Sequence, residues 1–353
     1  MYYQKFLYIF FLVLAVNLSF FSTNKVNAKA FIIEEIEISE KLENNFNKDI
    51  LINKGFKKAF KELMGKLIQS KDLNKTKDIK INKIKSMIET FSIKEEKFIN
   101  KAYNLNLGVS FNKKKIFNYL DSKNIFPAQI IEEKFLFIPI IIDQSNTDLL
   151  VFSNNPIHKN WQEENNKNYL INYILISEDL EDLNLIKDNY LELENYNFEE
   201  IIKKYFLNNS IIALFFKDEN QIKVLSKINI KEKKVIKSNS FKDIDLKNPD
   251  NLKELINSLK VIYEDFWKEN NLINTSIKLP LLIQVNNKDF NLSSKFDETL
   301  DKIDLINNYS IIKFNKDFII YKVIFNGTTK KFINIMNNQN YNFDTQKKTW
   351  ILK

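Results

Sequence analysis

The chain has 353 residues, of which 44% are hydrophobic and 28% are charged, and its formal net charge is +8. This balance predicts two or three globular domains with buried cores and excludes an intrinsically disordered chain. The absence of Cys excludes disulfides, thiolate nucleophiles, lipid attachment at a lipobox and Cys-ligated metal centres. A single His excludes sites that need two imidazoles, and four scattered Gly exclude Walker and Rossmann phosphate loops. We therefore expect no cofactor.

The first 28 residues have the three parts of a secretory signal peptide. The basic start MYYQK precedes an apolar block over residues 6–21, and small residues then stand at Val26 and Ala28. We expect cleavage after Ala28, or after Ala30, a periplasmic location, and no transmembrane helix in the mature chain. An uncleaved membrane anchor is the alternative, although the block is at the short end for spanning about 30 Å of hydrocarbon.

The net charge gives little reason to expect a nucleic-acid partner. Cleavage after Ala28 removes Lys5 and Lys25 and no acidic residue, which lowers the net charge to +6. That excess favours anionic surfaces by long-range attraction. However, the lysines are scattered among Asn, Asp and Glu, and the chain has no Arg to bind a phosphate group through two parallel hydrogen bonds.

Residues 29–127 are predicted to form an N-terminal α+β domain. The stretch 31–39 ends in the alternation of a first strand. A helix follows over residues 47–69, because six apolar positions recur three or four residues apart; they are Ile52, Phe56, Ala59, Phe60, Leu63 and Leu67. A second amphipathic stretch runs through Ile81, Ile84 and Ile88. Residues 103–111 alternate strictly and predict a strand with one buried face, and a short helix over 113–124 ends the domain.

Residues 128–273 are predicted to form a central α/β domain. The continuous apolar runs 134–142, 169–176 and 210–216 are typical of strands buried on both faces. Residues 221–241 suggest a hairpin of more exposed strands. Asn248 and Pro249 then predict the start of a long helix that reaches residue 270.

Residues 274–353 are predicted to form a C-terminal ferredoxin-like domain. Their patterns alternate in the order β-α-β-β-α-β, which is that of the split ferredoxin-like motif. The fold class is therefore α+β or α/β, built from several modules.

The segment ISEDLEDL (176–183) carries four carboxylates at the end of a predicted buried strand: Glu178, Asp179, Glu181 and Asp182. Carboxylates at this spacing could bind a hard cation through oxygen, and the carboxyl ends of strands are where ligands bind in α/β sheets. The other interpretation is structural, since Asp179 at the N-cap and Asp182 at the third helical position suit the start of a helix. The spacing and Gly of a calcium loop are missing, and both interpretations remain open.

His158 is a second candidate, in the segment NNPIHKNWQ. It could act as a general base with Ser and carboxylate groups from elsewhere in the chain, but no G-x-S-x-G elbow is present. The alternative is a polar loop residue beside a packed Trp161. Trp161, Trp267 and Trp350 each fit a core position, which is the usual role of such residues.

These segments resemble a bacterial family of exported proteins catalogued as domain of unknown function number two thousand and sixty-six. The resemblance lies in the leader followed by a strand and the helix NKGFKKAFKELMGKLIQS, in YILISEDLEDLNLI, and in the Trp161 stretch with the C-terminal module. Here Ile176, Ser177 and Glu178 replace the family's Pro-containing turn. The family has no assigned activity, so the resemblance implies an envelope protein and no catalytic residues.

The sequence as a whole predicts an exported, non-catalytic binding or assembly protein of the cell envelope. Its partner would be an envelope protein, a glycan or a lipid headgroup. Two alternatives are a cation-dependent hydrolase centred on residues 178–182 and an envelope protein anchored by an uncleaved leader.

Overall fold

A computed structural model of the chain describes residues 31–42, 46–143, 148–163, 169–218, 221–231, 233–288 and 290–353. The expected signal peptide, residues 1–28 with its cleavage site at Ala28, lies outside the described residues. Within them the protein is a mixed α+β structure with three sheets and ten α-helices.

The N-terminal part is a three-stranded antiparallel sheet with one long helix packed on it. Its elements are β1 (Ile32–Lys41), α1 (Lys48–Leu67), α2 (Ser70–Leu73), α3 (Ile81–Met87), β2 (Ile88–Ile99), β3 (Ala102–Phe111) and α4 (Lys113–Asp121). The sheet order is β1-β3-β2. The strand predicted over residues 103–111 is confirmed, and so is the helix predicted over 47–69. The second amphipathic stretch is shorter than predicted, because Ile88 already belongs to β2.

Two residues fix the position of helix α1. Asn47 caps its N-terminus, and Gly55 lets it lie close to the sheet. The side chain of Asn47 accepts hydrogen bonds from the backbone N–H groups of Asp49 and Ile50. Gly55 faces β3 so closely that a Cβ atom there would lie 2.5 Å from Leu107 Cδ1 and 2.9 Å from Ile38 Cδ1. The missing side chain lets the helix approach the sheet.

The central part is a six-stranded mixed sheet covered on both faces. Its elements are β4 (Glu133–Asp143), β5 (Asp148–Leu150), α5 (Pro156–Asn160), β6 (Ile171–Leu175), α6 (Leu180–Asp188), α7 (Glu199–Lys203), β7 (Asn209–Lys217), β8 (Gln221–Ile230), β9 (Lys233–Lys242) and α8 (Pro249–Asn270). The order is β5-β4-β7-β8-β9, and β6 also pairs with β4. Strand β4 runs parallel to β6 and β7, while the β8–β9 hairpin is antiparallel.

Strand β4 is buried on both faces, as its continuous apolar run predicts. Phe135, Phe137 and Ile141 join one core cluster, and Leu136 and Ile138 join a second cluster on the other side of the sheet. The side chains of successive residues point to opposite faces of a strand, so this central strand needs apolar residues at every position. Helix α8 covers the first face, and α6 and α7 cover the second.

The C-terminal part is a five-stranded sheet with two helices. Its elements are β10 (Leu279–Asn286), α9 (Phe290–Lys302), β11 (Ile306–Phe314), β12 (Phe318–Phe325), α10 (Thr329–Asn337), β13 (Phe343–Asp344) and β14 (Thr349–Leu352). The order is β11-β12-β10-β14-β13, with β10 parallel to β14 and the other pairs antiparallel. The predicted order of helices and strands is therefore observed, and the last segment is a hairpin rather than a single strand.

The three sheets share one continuous core. A single cluster of buried apolar residues includes side chains from all three, such as Leu107, Phe137 and Val323. The segments near residues 127 and 273, where domain boundaries were predicted, hydrogen-bond to each other through the Ile273 N–H and the Pro127 carbonyl, 2.7 Å apart. The boundary positions themselves remain a prediction.

Candidate functional site

The acidic segment after β6 starts helix α6 in the manner of a helix cap. Asp179 has extended backbone angles, and its Oδ1 accepts a hydrogen bond of 3.0 Å from the backbone N–H of Asp182. This bond lowers the pKa of the Asp179 carboxyl. The capping geometry considered from the sequence is therefore present.

Three of the four predicted carboxylates lie close together. The ammonium group of Lys204, the residue after α7, lies among them. Asp179, Glu181 and Asp182 each place an oxygen within 4.8 Å of the others. Lys204 Nζ donates to Asp182 Oδ1 at 2.6 Å and to Glu181 Oε2 at 2.8 Å, and it lies 3.8 Å from Asp179 Oδ1. The hydrogen bond to Asp182, followed by that to Glu181, raises the pKa of Lys204 well above its ordinary value.

Asp182 is the buried member of this group. It is 1% exposed, and its Oδ2 atom has no hydrogen-bond partner among the described residues. A buried carboxylate oxygen with a free lone pair costs free energy unless something binds it. The trio has the oxygen donors that Ca²⁺ or Mg²⁺ prefers, but Lys204 already supplies one positive charge at the same place.

Glu178 stands apart from the other three. Its Oε1 accepts a hydrogen bond of 3.1 Å from the backbone N–H of Ser153. Hydrogen bonding to Ser153 lowers the pKa of Glu178. Glu178 therefore holds the short 3-10 helix Phe152–Asn154 that precedes α5, and the structure does not bring it into the carboxylate trio.

His158 lies on the short helix α5 and bonds to the backbone. Its Nε2 is 2.8 Å from the carbonyl oxygen of Ile176. A ring nitrogen hydrogen-bonded to a carbonyl must donate to it, so this nitrogen carries the proton and is not free as a base. The packed Trp161 predicted beside it is fully buried and stacks on Phe137 with ring centroids 3.9 Å apart.

A second candidate site is a cavity between α1 and α8 that the sequence did not indicate. Its volume is about 550 Å³, within the range of roughly 300–1,000 Å³ typical of small-molecule sites. Its apolar wall consists of Phe60, Met64, Leu73, Ile79, Ile84 and Val261. The cavity lies between the N-terminal helices and the helix that covers the central sheet, which is a common location for ligand pockets.

Hydrogen bonds between α8 and the N-terminal helices hold the two walls of this cavity together. Asp265 accepts from the backbone N–H of Ser70 at 2.7 Å and from its hydroxyl at 2.5 Å. Lys268 Nζ donates to the Gly65 carbonyl at 2.5 Å. The walls are thus joined by directional bonds as well as by apolar packing.

Buried charges form part of the cavity lining. Glu264 is 2% exposed and accepts hydrogen bonds from the backbone N–H groups of Leu170 and Ile171. Burial raises the pKa of Glu264, and the two backbone bonds act in the opposite direction. Burial has the opposite effect on Lys268, one turn further along α8, because it lowers the pKa of this ammonium group. Both groups are engaged by the protein itself.

The mouth of the cavity is basic. Lys57 and Lys61 lie four residues apart on α1, and Lys77 follows α2; all three are exposed and line the cavity. None of the three makes an ion pair with any residue that the structure describes. The sequence shows the spacing of Lys57 and Lys61, but a void between two helices depends on how they pack and has no signal of its own.

Comparisons with known proteins place the chain in no group. No family model matches it, and no curated protein matches it. In the described part of the chain, every helix is too short or too polar to cross a bilayer.

Proposed function

We propose that the protein is an exported envelope protein that acts by binding and not by catalysis, and that the cavity between α1 and α8 is its binding centre. The observation that carries this proposal is the cavity itself, about 550 Å³ with an apolar wall and a basic mouth. Such a pocket with a few polar groups is the usual form of a ligand site. The partner is an envelope protein, a glycan or a lipid headgroup.

Three further points belong to the same proposal. The leader directs the chain to the periplasm and is removed after Ala28. The C-terminal module is a ferredoxin-like unit, supported by its β-α-β-β-α-β order and extended by the additional strand β13. The chain is a member of the exported family that it resembles, supported by the sequence segments that carry the resemblance.

Site-directed photo-crosslinking in living cells tests the binding centre. A benzoylphenylalanine at Val261, which lines the cavity and is 37% exposed, should give a discrete protein, glycan or lipid adduct in the envelope fraction. The same residue at Ile236, which is 64% exposed on β9 and does not line the cavity, is the control. No adduct at Val261, or the same adduct at both positions, contradicts the proposal.

Amino-terminal sequencing of the periplasmic fraction tests the location. A chain that begins at Lys29 or Phe31 supports cleavage and export, since these residues follow Ala28 and Ala30. Recovery of intact Met1 in the membrane fraction supports the anchored alternative. Intact, soluble chain in the cytosol contradicts export in either form.

A cation-dependent hydrolase is the second candidate, favoured by the unpartnered Oδ2 atom of Asp182. Calorimetry with Ca²⁺, Mg²⁺ and Mn²⁺ tests it, with Asp179→Ala/Asp182→Ala as the variant that removes two ligands. Lys204→Met should strengthen binding if a metal ion competes with the ammonium group for the same oxygens. No heat of binding in either the wild type or Lys204→Met removes this candidate.

A further inference from the structure

The cavity combines an apolar interior with a basic mouth. This mouth, formed by Lys57, Lys61 and Lys77, is the entrance of the cavity. The side chains of Leu73, Ile79 and Val261 are partly exposed and form a wall that offers no hydrogen bond to a polar ligand. A ligand that fills this part of the cavity gains free energy by removing apolar surface from water, so the matching group is a hydrocarbon chain.

The entrance favours a negative charge on the same ligand. Lys57 and Lys61 lie on one face of α1, because residues four apart on a helix are neighbours. Lys77 reaches the cavity from the segment after α2. Three ammonium groups without an ion pair among the described residues make a local positive potential that attracts an anion.

The two acidic residues of the lining do not cancel this preference. The lining contains four lysines, the three of the entrance and Lys268, so its formal charge stays positive. The two acidic residues of the lining are Glu264 and Asp265. Both lie on α8, on the wall that faces α1. A negatively charged headgroup is therefore stabilised at the lysines of the entrance, with its apolar chain pointing inward.

We infer that the cavity binds a single-chain amphiphile with an anionic headgroup. This inference rests on the proposed binding function and names the chemistry of the ligand. A free fatty acid and an anionic lysophospholipid share this chemistry, one apolar chain joined to one acidic group. Lysine suits either headgroup, because its ammonium is a compact, strongly hydrated charge that works at a wet entrance.

Fluorescence titration with cis-parinaric acid, a fluorescent fatty acid, tests the inference on the protein as recovered from cells. The acid should bind, its neutral methyl ester should bind more weakly, and added salt should weaken only the acid, since salt screens exposed charges. Displacement by oleic acid and by lysophosphatidylglycerol, measured side by side, distinguishes the two natural sources.

A charge-reversal variant tests the entrance. Lys57→Glu/Lys61→Glu/Lys77→Glu should weaken binding of the acid roughly tenfold and leave the ester unchanged, because exposed charges contribute modestly and additively. Lys330→Glu/Lys331→Glu/Lys348→Glu makes the same change in net charge at exposed lysines of the C-terminal part, away from the cavity lining. This control should bind like the wild type.

Two filling variants test the location. Gly65→Leu and Leu73→Trp each place a larger side chain at a lining position and should abolish binding of both acid and ester; circular dichroism verifies that each is folded. Undiminished binding in both folded variants overturns the location. Equal affinity for acid and ester, with no effect of charge reversal, overturns the anionic headgroup.

Failure of this inference and failure of the proposed function give different results. If no single-chain probe binds, the inferred ligand class is wrong, and a crosslinked adduct at Val261 still supports a binding function. If Val261 gives no adduct in cells while cis-parinaric acid binds as described, the ligand class stands and the envelope partner does not.

Discussion

Replacing Gly55 with Ala tests how closely α1 approaches the N-terminal sheet. In an exposed helix, Gly→Ala gains about 0.8–1 kcal/mol of stability. At Gly55 the new methyl group would lie 2.5 Å from Leu107 Cδ1, and overpacking of this kind costs about 1–3 kcal/mol. The expected net effect is a loss of about 0–2 kcal/mol. Gly65→Ala, on the same helix but facing the cavity, should gain about 1 kcal/mol.

Equilibrium urea unfolding followed by Trp fluorescence measures this difference. The two variants should differ by about 1–3 kcal/mol, which is roughly 0.3–1 M in urea midpoint for a slope near 3 kcal/mol/M. Shortening the opposing side chain in Gly55→Ala/Leu107→Val should be less destabilising than the sum of the single changes. Equal stabilisation by Gly55→Ala and Gly65→Ala would refute the close approach.

Three more outcomes are expected. Asn155→Ala should cost about 1–3 kcal/mol in urea unfolding, because this fully buried amide donates to the Pro139 carbonyl and caps α5; an unchanged midpoint would contradict that role. Trp161→Ala should cost about 3–5 kcal/mol and Trp161→Phe much less, and similar losses would argue against a packing role. Asp179→Asn keeps the cap but cannot ionise. The lowered pKa of Asp179 stabilises the wild type above about pH 4 and ceases to do so as pH falls through the folded-state pKa. The advantage of the wild type over Asn in thermal melts should therefore shrink below pH 4, and a constant difference would contradict the assignment.

Helices and strands with a strong hydrophobic periodicity could be predicted from the sequence. The stripe of α1 was predicted from the spacing of Phe56, Phe60 and Leu63, and all three are buried. The start of α8 was predicted from Asn248 and Pro249, and Asn248 does cap it. The short elements β5 and α5 were not predicted, because three to five residues are too few to show a period.

The candidate sites were less predictable, because they depend on residues distant in sequence. The cap formed by Asp179 is local and could be anticipated. The contact of Lys204 with Asp182 spans 22 residues, and nothing in the pattern around Lys204 distinguishes it from its neighbour Lys203. The cavity depends on the bond between Ser70 and Asp265, 195 residues apart. Such contacts are set by tertiary packing, which local periodicity does not encode.

The parallel pairing of β10 with β14 has a consequence for the order in which the C-terminal sheet can form. Strand β14 lies between β10 and β13, so β13 and one edge of β10 have no partner until residues 349–352 have been made. Strand β10 keeps this edge open while the 62 residues between the two strands, 287–348, are made, and an open edge can pair with other chains.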